Sequence, residues 1–261
     1  MTPHPTRLRA IVDTLALAAR APREGLQPPK RSLSLRELGV GPRVAGALLR
    51  RPPRAPGCDG NSHPVMLVPG FGAGEWSMGF LARTLERHGF LTTPWGLGTN
   101  GGDVPALAPQ VTDQARAFAD ARGEAITLVG WSLGGYFSRE AARDLPDEVA
   151  QVITLGTPAW GGPKYTAAAG FYTGQGLDLD EIENGTFERF ERPIEQPIVA
   201  FWSRRDGVVS WECCIDHWSP NVEHVEVDCT HVGLGFDRDI ALDLTRRLCG
   251  LLEKTEQEHN A

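Results

Sequence analysis

From residue 64 onward, short apolar runs alternate along the chain with segments of helical periodicity. Runs of this kind suit buried parallel strands, and the intervening segments place apolar residues three and four positions apart, as amphipathic helices do. The predicted strands are 65–68, 90–95, 125–130, 149–155, 196–202 and 222–227. The predicted helices are about 75–88, 104–122, 133–143 and a C-terminal helix. This alternation predicts an α/β fold, with a mostly parallel central sheet and helices on both faces.

Two segments depart from the alternation. Residues 1–57 hold 9 of the 20 prolines and two helical patterns, so we expect a helical N-terminal extension, followed by the α/β domain over 58–261. Residues 158–195 lie between two predicted strands where a single helix would suffice. Long connections in compact domains are often functional, which favours a cap or lid there. An irregular connection is the alternative.

The sequence Gly130-Trp131-Ser132-Leu133-Gly134-Gly135 is the strongest functional signal. The pattern G-x-S-x-G arises easily by chance, but here a predicted strand ends at the motif and a predicted helix begins directly after it. A sharp turn between strand and helix lifts the serine hydroxyl off the strand, and the flanking glycines remove side chains that would clash. Ser132 is therefore the candidate nucleophile.

His231 is the candidate base for that hydroxyl, which is a weak nucleophile until a base takes its proton. It lies in a loop between the last predicted strand and the last helix, and such loops are where α/β sheets place their chemistry. The other internal histidines fall in positions that favour structural or exposed roles: His63, His88, His217 and His224.

Asp206 is the candidate carboxylate that fixes the tautomer of the imidazole. It follows the strand 196–202 and precedes a glycine, a pairing that is also common in exposed turns. Asp216 and Asp228 are the alternatives. The chain order Ser132, Asp206, His231 is the order that a strand–serine–helix site on such a sheet requires.

The glycine-rich run 68–74, VPGFGAG, ends the first predicted strand with sterically open backbone. We expect the N–H groups of Phe71 and Leu133 to converge on the oxyanion of a tetrahedral intermediate. A phosphate-binding loop is the competing interpretation, but the run lacks G-K-[ST] and the spacing G-x-G-x-x-G.

Together, PGFGAG, GWSLGG, SRRDGVV and THVGLG resemble the motifs of bacterial lipases and esterases of the α/β-hydrolase superfamily. The resemblance covers about residues 64–252. It implies Ser132 as nucleophile, Asp206 as acid and His231 as base. It also implies that the amides of Phe71 and Leu133 form the oxyanion hole. Many such lipases have His-Gly where this chain has Pro69-Gly70, a departure that concerns the packing of the loop.

The resemblance implies a serine hydrolase that cleaves carboxylic esters, either small-molecule or lipid, through an acyl-enzyme and without cofactor or metal. Two alternatives stay open. One is an acyltransferase, thioesterase or amidase that uses the same triad. The other is a non-catalytic binding or scaffold protein whose basic N-terminal segment recruits a partner.

The charge of the chain bears on its partners. A formal net charge of −7 argues against broad binding of nucleic acid. Residues 1–60 carry 11 Lys and Arg against 4 Asp and Glu, so we expect this basic segment to pack on its own acidic domain. Weak association with an anionic membrane surface is the alternative. No apolar stretch is long enough to span a bilayer, and charges interrupt the N-terminal one, so a cytoplasmic protein is expected.

The cysteines show no disulfide framework and no zinc-like grouping. There are five, at positions 58, 213, 214, 229 and 249. Reduced thiols are therefore expected, with a bond between Cys229 and one of the adjacent pair Cys213 and Cys214 as the alternative.

Overall fold

The computed structural model describes residues 18–259, in which the six predicted strands form one parallel sheet. The strands are β1 (Pro64–Val68), β2 (Leu91–Pro94), β3 (Ile126–Trp131), β4 (Val149–Leu155), β5 (Ile198–Trp202) and β6 (Val222–Glu226). Their order across the sheet is β2-β1-β3-β4-β5-β6, and every neighbouring pair is parallel. The predicted α/β fold is thus confirmed, with strand ends that differ from the sequence pattern by one or two residues.

Alternate side chains of the central strands enter two separate cores, one on each face of the sheet. In β1, Val65 and Leu67 belong to one core, while Met66 and Val68 belong to the other. This is the period of two that a strand imposes. Because both faces are covered, β1 and β5 are apolar along their whole length. The edge strand β6 is only half-buried, since it pairs on one side alone.

Helices cover both faces of the sheet. The helices are α1 (Arg31–Glu37), α2 (Gly41–Leu49), α3 (Gly79–Glu86), α4 (Val104–Arg122), α5 (Leu133–Asp144), α6 (Ala169–Gly174), α7 (Leu179–Arg189), α8 (His231–Leu234) and α9 (Arg238–His259). Helices α3 and α9 pack on one face, and α4 and α5 on the other. None of the helices between residues 18 and 259 combines the length and apolar character that crossing a bilayer requires.

The segment between β4 and β5 contains two helices rather than one. Helices α6 and α7 lie within residues 158–195, and an isolated antiparallel bridge joins Thr166 of this segment to Val209 in the chain after β5. Three large apolar side chains of this segment are buried in a third core: Trp160, Phe187 and Phe190. The segment therefore packs on the body of the protein, and its motion as a lid stays a prediction.

The described part of the N-terminal segment is helical and packs on the sheet domain. Val44 and Ala47 of α2 contact the core that α3 and α9 cover, and the Arg83 side chain donates to the Ala47 carbonyl oxygen. The earlier helical pattern, around Ile11 and Leu15, lies outside the described residues. The boundary between residues 57 and 58 stays a prediction.

The pairing of the cysteines differs from the sequence expectation. Cys58 and Cys249 form a disulfide across 191 residues, which joins the end of the N-terminal segment to α9. Cys213, Cys214 and Cys229 are buried free thiols, so the suggested bond to Cys229 is wrong. No spacing rule relates cysteines so far apart. The cytoplasmic location stays a prediction.

Reduction of the disulfide is expected to lower the free energy of unfolding by about 2–4 kcal/mol, because a long loop of the unfolded chain is released. Urea unfolding with and without dithiothreitol measures this. The double variant Cys58→Ser, Cys249→Ser is the control and should not respond to the reductant. An identical unfolding midpoint for the native protein in both conditions would contradict the disulfide.

Candidate active site

Ser132 lies at the turn between β3 and α5, in a strained backbone conformation. Its φ is 54° and its ψ is −123°, values that a residue with a Cβ seldom adopts and that cost about 1–3 kcal/mol. Two contacts, one with the last residue of β4 and one with the chain after it, hold the turn. The Ser132 N–H donates to the Leu155 carbonyl oxygen at 2.8 Å, and the Thr157 hydroxyl donates to the Ser132 carbonyl oxygen at 2.9 Å.

The glycines on either side of Ser132 are required by space. A Cβ on Gly130 would overlap the backbone of Gly134 and Gly135, and one on Gly134 would overlap the Val68 carbonyl oxygen. Both are collisions with backbone, which cannot move aside as a side chain can. The turn therefore needs this glycine pattern, as the sequence predicts.

Asp206 and His231 meet in a hydrogen bond beside this turn. His231 Nδ1 and Asp206 Oδ2 are 2.6 Å apart, and both side chains are buried. The other carboxylate oxygen, Oδ1, accepts the N–H groups of Val208 and Val209 at 2.8 and 2.7 Å. With Oδ1 so occupied, Oδ2 is directed at Nδ1, and this hydrogen bond leaves the other ring nitrogen, Nε2, uncommitted to Asp206.

The rival residues lie elsewhere. Asp216 forms a buried ion pair with Arg139, and the exposed Asp228 pairs with Arg205. His63 contacts the Thr127 hydroxyl, and burial lowers its pKa to about 4. In residues 18–259, no group of three His, Cys, Asp or Glu side chains is arranged to hold a metal ion.

The electrostatics of His231 combine opposing influences. Burial lowers the pKa of its imidazole, because the charged form loses water. The charge and hydrogen bond of Asp206 raise it, as does the charge of Glu37, and the resulting pKa lies above the ordinary value of 6.5. The imidazolium that a proton transfer would create is thus stabilised in place.

Gly156 joins the two halves of the site. It follows Leu155, the acceptor of the Ser132 N–H, and a Cβ on it would lie 2.9 Å from both Asp206 Oδ2 and His231 Nδ1. Among the described residues, no hydrogen bond joins Ser132 Oγ to His231 Nε2. Contacts of this kind often tighten only when substrate binds. The structure thus gathers the three predicted side chains at one end of the sheet and joins two of them directly.

The loop after β1 lies against the Ser132 side chain. A Cβ on Gly70 would be 3.2 Å from Ser132 Cβ and 3.9 Å from its Oγ. In the described part of the chain, the N–H groups of Phe71 and Leu133 have no hydrogen-bond acceptor. Leu133 begins α5, where N–H groups lack partners within the helix and the helix dipole is positive. Both N–H groups are therefore available to a developing oxyanion.

Asn100 was missed by sequence reasoning, although it is fully buried and braces this loop. Its side-chain amide donates to the Pro69 carbonyl oxygen at 2.9 Å. Its backbone accepts the Gly72 N–H at 2.8 Å and donates to the Ala73 carbonyl oxygen at 2.9 Å. The sequence Asn100-Gly101-Gly102 signals a turn but does not identify the partner. Asn100 is therefore a candidate positioning residue for Phe71.

Three aromatic rings, those of Phe71, Phe171 and Tyr172, form what we call the aromatic wall beside the loop after β1. The Phe71 ring lies 4.9 Å from the Phe171 ring and 6.1 Å from the Tyr172 ring, both on α6. The Tyr172 hydroxyl donates to the Gly102 carbonyl oxygen at 3.2 Å. Phe71 and Phe171 are 38% and 43% exposed, so an apolar ligand at this wall would find uncovered ring surface. Six other aromatic residues lie in the third core, pack against His231 or are exposed: Trp160, Tyr165, Trp202, Trp211, Trp131 and Trp76.

The chain has a recognisable family but no close curated relative. A model of the alpha/beta hydrolase family matches residues 65–248. No curated protein sequence matches the chain significantly. The family match covers the six strands from residue 65 onward and includes Asp206 and His231. It confirms the superfamily resemblance predicted from the motifs.

Solved structures with the same fold have low sequence identity. A metagenome-derived lipolytic enzyme has a TM-score of 0.57 at 19% identity, over 75% of this chain and 96% of that chain. A putative lipase from Acinetobacter baumannii has a TM-score of 0.58 at 11% identity, over 84% and 97%. A monoacylglycerol lipase from Paleococcus ferrophilus has a TM-score of 0.54 at 16% identity, over 72% and 94%. At these identities the likeness concerns the fold alone.

Replacing Gly156 by alanine is expected to destabilise the protein by about 1–3 kcal/mol more than replacing Gly123. Both glycines have positive φ, of 56° and 67°, but Gly123 has no neighbouring atom within 4 Å of its Cβ position. Gly123→Ala therefore measures the backbone cost alone, about 1–2 kcal/mol. Urea unfolding of the two variants gives the difference, and equal destabilisation would contradict the close approach of Gly156 to the Asp206–His231 pair.

Proposed function

The chain belongs to the alpha/beta hydrolase family, and from this premise we propose that it is a serine hydrolase that cleaves carboxylic esters through an acyl-enzyme on Ser132. The observation that carries the proposal is the strained Ser132 turn beside the buried Asp206–His231 hydrogen bond. A serine held in that conformation, next to an oriented imidazole, is the arrangement that nucleophilic acyl transfer needs.

In the proposed reaction, Ser132 Oγ bonds to the ester carbonyl carbon while its proton passes to His231 Nε2. The π electron pair of the carbonyl group moves onto its oxygen, and the N–H groups of Phe71 and Leu133 donate hydrogen bonds to the oxyanion that forms. The bond to the alcohol oxygen then breaks, and the alcohol leaves with the proton from His231. Water attacks the acyl-enzyme by the same route, the acid is released, and Ser132 regains its proton.

The oxyanion donors contribute most when they are fixed before the reaction. A well-aimed N–H group is worth about 3 kcal/mol of barrier. Asn100 supports the proposed role of Phe71, because its hydrogen bonds hold the loop on both sides of that residue. The Leu133 N–H belongs to a helix that packs on the sheet. Neither donor needs to reorganise during the reaction.

The aromatic wall supports an ester with an apolar acyl or alcohol group. Phe71 follows Gly70, which lies beside Ser132, and its ring packs with those of Phe171 and Tyr172. Burial of an exposed ring by ligand releases water. The structural neighbours named above are lipolytic enzymes, which agrees with such a substrate but concerns those proteins.

The Ser132→Ala variant is expected to lose at least about 10³-fold in the rate of p-nitrophenyl ester hydrolysis, because the nucleophile is removed. The matched control is Ser32→Ala, which alters an exposed serine of α1 and should keep the native rate. A fluorophosphonate probe should label the native protein and the control at Ser132.

The same assay separates the alternatives. A panel of esters of graded acyl length defines the acyl preference, and added alcohols or amines reveal an acyltransferase if they capture the acyl group in place of water. Retention of full esterase activity by Ser132→Ala would refute the proposed nucleophile. An unlabelled native protein without activity on any ester would favour the non-catalytic alternative.

The value of kcat/KM is expected to fall as the pH decreases, with its midpoint above pH 6.5. His231 must be neutral to accept a proton, and its pKa is raised, so protonation and loss of activity begin at a higher pH than for an ordinary histidine. The Asp206→Asn variant lacks the charge that raises this pKa, so its residual activity should have a lower midpoint. A flat profile from about pH 5 to 8 would contradict His231 as the base.

A further inference from the structure

Glu37, the last residue of α1, accepts three backbone hydrogen bonds from the two loops that carry Asp206 and His231. Its Oε1 accepts the N–H groups of Gly207 at 2.9 Å and His231 at 2.8 Å. Its Oε2 accepts the Val232 N–H at 3.0 Å. These partners are 170 to 195 residues away in sequence. The carboxylate thus joins two loops that the sheet holds only at the ends of β5 and β6.

We propose that Glu37 is a positioning residue for the proposed hydrolase: its carboxylate sets the separation of the Asp206 and His231 loops and adds a second negative charge beside the imidazole. The proposal rests on the proposed function, because it assigns His231 the role of base. Glu37 belongs to the N-terminal segment, which lies outside the matched family region of residues 65–248. The proposal therefore gives that segment a part in the reaction.

The backbone of α1 lies directly on the Asp206 loop. The Ser34 hydroxyl donates to the Gly207 carbonyl oxygen at 2.7 Å, and a Cβ on Gly207 would be only 2.5 Å from the Leu33 carbonyl oxygen. Gly207 is therefore needed for the helix to approach. A further contact, from the Ser210 hydroxyl to the Gln27 carbonyl oxygen, continues this seam beyond the helix.

The two loops contact each other directly, since the Ser203 hydroxyl donates to the Cys229 carbonyl oxygen at 2.6 Å, and Glu37 adds a further connection from α1. β6 is the half-exposed edge strand and pairs with β5 alone, so the His231 loop has no strand on its outer side. Glu37 Oε1 bonds to one N–H from each loop, and hydrogen bonds from N–H groups to a carboxylate are stronger than those between neutral groups. A displacement of about 1 Å between catalytic groups can cost about 10²-fold in rate.

Glu37 also enters the electrostatics of the imidazole. The charged groups that face His231 are Asp206, from the loop after β5, and Glu37, from α1. The β3–α5 turn presents the Trp131 ring, and the chain after β4 presents Gly156, neither of which is charged. Both carboxylates favour the imidazolium, so removal of either charge should shift the titration of the base to lower pH.

Two variants separate the effect of the Glu37 charge from the effect of its side-chain length. Glu37→Gln keeps the length but removes the charge and places an NH₂ group against an N–H donor. We expect kcat to fall about tenfold or more, with KM within about twofold, and the acid limb of kcat/KM to move to lower pH. Glu37→Asp keeps the charge but shortens the side chain, so kcat should fall while the acid limb stays near its native position.

Glu24→Gln is the matched control, since it makes the same change at an exposed residue of the same segment and should leave both quantities unaltered. Ser34→Ala removes a contact of α1 with Gly207 but no charge, so it should not move the acid limb. An unchanged kcat and acid limb in Glu37→Gln would overturn the proposal. So would a lower kcat with an unmoved acid limb in that variant, which indicates a structural contact only.

Amide hydrogen exchange tests the connection without reference to activity. In Glu37→Gln, the amides of Gly207, His231 and Val232 should exchange faster than in the native protein, while those of β3 and β4 keep their protection. Unchanged exchange at these three amides overturns the proposal even if the protein is inactive. Full activity of Ser132→Ala with faster exchange in Glu37→Gln would instead refute the proposed function and leave the connection between the loops intact.

Discussion

The strained turn at Ser132 depends on the absence of side chains where β1, β3, β4 and α5 converge. Gly130 and Gly134 bring backbone within contact of backbone, and Gly70 clears the space beside the Ser132 hydroxyl. The conformational energy stored at Ser132, about 1–3 kcal/mol, is offset by the cores on both faces of the sheet. A parallel sheet buried on both faces supplies this rigidity, because none of its central strands can shift without disturbing two cores.

The site divides its tasks among the ends of five strands. The loop after β1 presents one free N–H, the turn after β3 presents the hydroxyl and the other N–H, and the loops after β5 and β6 present the carboxylate and the imidazole. The end of β4 and the residues after it contribute none of the proposed reacting groups but contact three of them, Ser132, Asp206 and His231, through Leu155, Gly156 and Thr157. The central strand β4 therefore aligns the proposed reacting groups that the other strands carry.

Local sequence was sufficient for the sheet and for the Ser132 turn, because strand periodicity and the glycines around Ser132 are patterns that act over short distances. Asp206 and His231 had no such local mark. They were predicted from chain order, from their places after predicted strands and from the family resemblance, and their catalytic roles stay a prediction. Asn100, Glu37 and the Cys58–Cys249 bond could not be predicted in the same way, since each joins segments that are distant in sequence. The partners of Asn100 and Glu37 are backbone groups, so the residue type at the partner position does not indicate the contact.

A carboxylate that accepts hydrogen bonds only from backbone N–H groups constrains the positions of those groups but not the identity of their side chains. Glu37 can keep its three hydrogen bonds only if the Asp206 and His231 loops end at a fixed separation, whatever residues occupy their other positions. Gly207 is the exception, because the α1 backbone leaves no room for a Cβ there. The glycine that follows Asp206 is thus required by the close approach of the α1 backbone. For this reason the N-terminal segment and the sheet edge are best regarded as one structural unit, although composition alone divides the chain near residue 57.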